Sequence, residues 1–211
     1  MRSRTPPWTI DSTFDRYDNK GKVIANADVY IPPSATYKTW TAADAGTRFI
    51  LRAGTGNNIE PTFYYSWKMP GDIGGDYYRD NIANCNPTVI PVGVTMTQEP
   101  GAMEGPTIDG LKDLVAKDPT ARWDDYQKKV ISDFGQSPRV FPIPLYDPAH
   151  YAQGKANGRV ADFKIANFLG FFAEPPQGNS IPGRITQIVG LVAPGAPAPA
   201  NSFAKAIRLV Q

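Results

Sequence analysis

Proline occupies 21 of the 211 positions of this chain and glycine another 19, and that punctuation limits the fold more than any other feature. A proline inside a helix removes a hydrogen bond and clashes with the preceding turn, and a glycine there costs about 1 kcal/mol against alanine. Long helices are excluded over most of the chain, and short strands joined by many turns are expected instead. Eight segments read as strands: Val23–Ile31, Arg48–Ala53, Thr62–Met69, Thr88–Gln98, Arg139–Tyr146, Ala161–Phe172, Arg184–Val192 and Ala204–Val210. Each is rich in Val, Ile, Phe or Tyr and bounded by Gly, Pro or Asn. The expected class is mainly β, a β-sandwich or a barrel-like sheet, with α+β as the alternative label.

Within Arg139–Tyr146 the prolines at 142 and 144 share parity. Two positions that cannot donate on the same side predict an edge strand, or one leaving the sheet. A two-helix insertion is expected at about 107–134. Thr107–Lys117 sets Ile108, Leu111, Leu114 and Val115 on one face, with Thr107 as N-cap behind Pro106. Asp118 and Pro119 then offer a capping carboxylate and a proline at the first helical position, and Trp123, Tyr126, Val130 and Phe134 recur at helical spacing up to Gly135. That stripe reads as core packed on the sheet. Residues 193–201, Ala-Pro-Gly-Ala-Pro-Ala-Pro-Ala-Asn, form a Pro/Ala-rich surface connection that is extended and delivers a last strand to the same sheet. No internal repeat is apparent, and residues 1–211 are expected to make a single β-rich domain.

With 41% hydrophobic and 20% charged residues the chain can bury a core and lies far from the composition of disorder. The net charge is +2, and no run gathers five or six like charges, so neither nucleic acid nor an anionic membrane surface is indicated as a partner. No apolar run approaches the roughly 20 residues that span a bilayer as a helix.

Chemistry is thin. One cysteine, Cys85, and one histidine, His150, exclude an intrachain disulfide framework, a Cys/His zinc site and a C-x-x-C motif. His150 reads as an exposed turn residue, and Cys85 has only Arg79 nearby to lower its pKa. Gly54-Thr-Gly56 and Gly71–Gly75 read as turn glycines that open no helix, so neither cradles phosphate. Asp15–Gly21 carries two aspartates, an asparagine and a glycine, oxygen types that suit calcium, although a β-turn uses the same residues more often. Asp124-Asp125 reads as helix surface. Phe63–Trp67 with Tyr77-Tyr78 is dense in aromatics, and alternation leaves Tyr64 and Ser66, or the opposite parity, outward. Core packing is the default for these rings, and a glycan-stacking platform the alternative. No catalytic, cofactor-binding or metal residue is assigned, no cofactor is implied, and the chain is not expected to be an enzyme.

Several phrases in a fixed order resemble the non-cytoplasmic region of TadE/TadG-like proteins of Flp-type (tight adherence) pili. They are Thr9–Asp18, Ala27–Pro33, Gly75–Asn86, Glu99–Thr107, Leu114–Pro119 with Trp123, Ser137–Val140, Leu145–Pro148, Asn167–Phe172 and Ala206–Gln211. The resemblance covers most of the chain and carries no catalytic residues. It implies a non-enzymatic exported component, periplasmic or at the cell surface, that works in pilus assembly through contacts with other pilus or secretion-system proteins. It also implies a membrane anchor upstream of this sequence. Relatives tend to carry further cysteines that could bridge to the one at Asn84-Cys-Asn86, whereas Ser132–Ser137 offers none here. A surface binding module for glycan or calcium is the alternative function.

Overall fold

A computed structural model describes residues 8–11, 45–54, 63–86, 88–147, 150–151, 153–154, 162–190 and 204–206. In chain order they form β1 (Trp8–Asp11), β2 (Arg48–Ala53), β3 (Phe63–Ser66), α1 (Gly75–Asn84), β4 (Thr95–Thr97), α2 (Glu104–Ala116), β5 (Arg122–Asp124), β6 (Lys129–Ile131), β7 (Val140–Tyr146), β8 (Asp162–Ala173), β9 (Ser180–Ile185), β10 (Ile188–Gly190) and β11 (Ala204–Ala206). The protein is mainly β with two helices.

Seven strands share one mixed sheet in the order β4-β8-β7-β1-β3-β2-β9, and β9 pairs back onto β8. Six strands thus close into a ring, the barrel-like form of the expected class. Two of its pairs, β1 with β7 and β2 with β3, are parallel. Ring closure leaves no free edge at the seam, where Phe171, Phe172 and Ala173 face Ile185, Arg184 and Gly183. At the other end of β8, β4 takes the place of β9: Thr95–Thr97 pair with Asp162–Lys164. The chain beyond β4 also bridges to the continuation of β3, through Trp67 opposite Gln98 and Lys68 N–H donating to the Thr97 carbonyl at 2.8 Å.

The ring and the helices share one core. Phe49, Leu51, Tyr64, Phe141, Ile143, Leu145, Leu169, Phe171, Ile181 and Ile185 from the strands meet Tyr78, Ile82, Ile108, Leu111 and Leu114 from α1 and α2. A second, aromatic cluster holds Tyr65, Trp67, Tyr146, Tyr151 and Phe163, with Tyr151 and Phe163 stacked at 5.2 Å. A third lies under the β5–β6 hairpin, where Trp123 and Val130 pack against Val140 and Phe172. Adjacent residues on one strand therefore enter different clusters: Tyr64 the first and Tyr65 the second. Both faces of the strand are covered, so both parities are apolar.

Several expectations are corrected. Residues 118–135 form no helix. Trp123 and Val130, seven apart on the helical stripe, are cross-strand partners, and the turn between them is set locally: Asp124 Oδ1 accepts the N–H groups of Tyr126 and Gln127 at 2.9 and 2.7 Å. Lys128 completes it at φ 52°. An aspartate that bonds its own turn competes with the helix that the spacing alone suggests. The second helix is instead α1, upstream, and Thr107 lies inside α2, with its hydroxyl donating to the Met103 carbonyl at 2.7 Å rather than capping. β7 is interior in the sheet, not an edge, because β1 registers only with Leu145 and Tyr146, past both prolines. β11 pairs with β10 in a separate two-stranded parallel sheet instead of the main one. Thr88–Gln98 contributes only the short β4, and Arg184–Val192 divides between the end of β9 and β10. Val23–Ile31 and 193–201 lie outside the described residues.

Candidate functional site

Residues that looked available for chemistry are mostly committed to holding the fold. His150 is not a free turn side chain: its Nε2 lies 3.0 Å from Asp162 Oδ1, with the two side chains 25% and 24% exposed. Its N–H donates to Asp147 Oδ1 at 3.2 Å, so the pair ties the chain leaving β7 to the start of β8. Cys85 ends α1, half-buried, at φ 67°, a conformation that costs a non-glycine residue of order 1 kcal/mol. The next residue holds it there. Buried Asn86 donates to Asn81 Oδ1 at 2.9 Å and to the Pro70 carbonyl at 3.3 Å, while its own Oδ1 accepts Thr88 N–H at 2.9 Å.

The glycine segment Gly71–Gly75 does open a helix, contrary to the sequence reading. Gly71 and Gly74 take φ values of 123° and 106°, and α1 starts at Gly75. The position an anion would take at that helix end already holds an internal carboxylate, because Gly74 N–H donates to Glu99 Oε1 at 3.1 Å and Glu99 is only 4% exposed. A carboxylate at the positive end of a helix dipole is stabilising, and it leaves no phosphate cradle here. Gly54 serves a close approach instead: a Cβ there would fall 2.3 Å from the Tyr65 ring.

Asp124 and Asp125 lie in the hairpin turn, not on a helix. Hydrogen bonds from Gln127, with burial opposing, hold the Asp124 carboxyl below its ordinary range; Asp125 accepts the Trp123 indole N–H at 3.1 Å. Tyr64, Tyr65, Trp67 and Tyr78 are all buried, so these rings build core and leave no stacking platform on Phe63–Trp67. Burial pushes the Tyr64 phenol up to about 12 and the Tyr78 phenol well above its ordinary value. Asp15–Gly21 lies outside the described residues. Among the described residues, no three His, Cys, Asp or Glu side chains cluster as metal ligands.

Two arrangements escaped sequence reasoning. Arg139 is fully buried; its Nε donates to the Ala173 carbonyl at 2.9 Å and its NH1 to the Asp118 and Ala121 carbonyls at 3.0 and 3.1 Å. The guanidinium lies 4.8 Å over the Phe172 ring. Nearby Asp118 is also buried and accepts the Ser132 hydroxyl at 2.6 Å. Together they clamp the base of the β5–β6 hairpin to β7 and β8. At the β2–β9 end, Glu174 accepts Nε of both Arg48 and Arg184 at 2.8 Å. It thereby compensates two arginines that stand directly opposite each other across the strands. In the sequence, Asp118 and Arg139 stood out only as members of the phrases Leu114–Pro119 and Ser137–Val140, and Arg48, Glu174 and Arg184 belong to none of the phrases.

Among the described residues, the large apolar side chains left exposed lie on turns and loops. Tyr126, at the hairpin tip, is 96% exposed, and Phe134 beyond β6 is 53% exposed. Between α1 and α2 lies an open groove of about 360 Å³. Comparisons with protein-family models, with curated proteins and with solved structures each gave no match.

Proposed function

We propose that this chain is a non-enzymatic, exported assembly component of a Flp-type (Tad) pilus system, acting through protein–protein contacts in the periplasm or at the cell surface. A membrane anchor upstream of this sequence belongs to the same reading. The observation that carries it is where the resemblance phrases fall. Glu99 caps α1, Asn86 knots the chain after it, and Asp118 and Arg139 clamp the hairpin. The buried charges are thus spent on rigidity, while the large apolar group left most exposed, Tyr126, sits on the element so clamped. A stiff arm presenting an aromatic side chain is suited to a protein contact, since tyrosine is prominent among interface hot spots and a rigid arm loses little entropy on docking.

Cross-linking in living cells tests the proposal. A photo-reactive residue placed at Tyr126 of the native protein is expected to capture pilus or secretion-system proteins, identified by mass spectrometry. Capture confined to unrelated cytosolic proteins would contradict it.

A further inference from the structure

We draw no further inference here: the strongest candidate, the apolar surface of Ile73, Val89 and Val92 exposed on the loops on either side of α1, carries none, because nothing in the structure shows what covers it.

Discussion

Replacing Arg139 by methionine should loosen the whole hairpin arm. The substitution keeps much of the apolar volume but removes donors to three carbonyl oxygens, those of Ala173, Asp118 and Ala121, and a guanidinium stacked on Phe172. A hydrogen bond from a charged group contributes about 1.5–3 kcal/mol, and an unpaired buried acceptor costs about 1–3 kcal/mol. The three bonds share one side chain and are not additive, and Asp118 stays behind as a buried carboxylate, so the expected loss is about 4 kcal/mol. With a urea dependence of about 2–3 kcal/mol per molar, the midpoint falls by about 1.5–2 M. Urea unfolding followed by circular dichroism gives the global change, and hydrogen exchange at the paired strands Arg122–Asp124 and Lys129–Ile131 reports on the hairpin. Arg139→Lys should recover less than half, because one ammonium cannot reproduce the fork that spans carbonyls from three segments. A loss under about 1 kcal/mol for Arg139→Met, or full recovery by lysine, would refute the clamp.

Three further outcomes follow from the same structure. The Tyr64 phenol, raised to about 12, and the Tyr78 phenol, held well above its ordinary value by burial, bind protons more tightly folded than unfolded. Their contribution is intact below the ordinary pKa of about 10 and is lost as pH rises above it, at about 1.4 kcal/mol per pH unit for each group. Absorbance at 295 nm should therefore show these tyrosines ionising only together with unfolding; their free titration near pH 10 in the folded protein would contradict the burial. Gly170→Ala should cost about 2–4 kcal/mol or abolish soluble expression, because the added Cβ would lie 2.0 Å from the Thr186 carbonyl oxygen at the barrel seam; an unchanged melting temperature would place the seam wrongly. Glu99→Gln should cost about 1 kcal/mol by removing the charge at the start of α1, and hydrogen exchange at Gly74 to Tyr78 should quicken before the rest of the helix.

The strand-rich class was legible because glycine, proline and β-branched residues act locally. Arg48–Ala53, Arg139–Tyr146 and Ala161–Phe172 match β2, β7 and β8 to within a residue. The failures came where a local device overrode a periodic pattern. Trp123, Tyr126, Val130 and Phe134 do recur at helical spacing, yet Asp124 captures the next two free N–H groups and folds the segment back. α1 was hidden by its glycines: its buried residues Tyr78, Asn81, Ile82 and Ala83 keep helical spacing, but two of them are polar or small. β1 is too short to signal itself, and its partners, β3 and β7, are distant in sequence. The structural anchors were the least legible. A buried Arg139 or Glu99 looks like any surface charge until the chain closes around it, and only the resemblance phrases singled those positions out.

A pilus-assembly component is a protein that the source organism needs in order to build pili. An in-frame deletion in the source organism, examined by electron microscopy and surface-adhesion assay, should lose or sharply reduce pili and regain them with the unaltered gene. Full piliation and normal adhesion without the protein would contradict a role in pilus assembly.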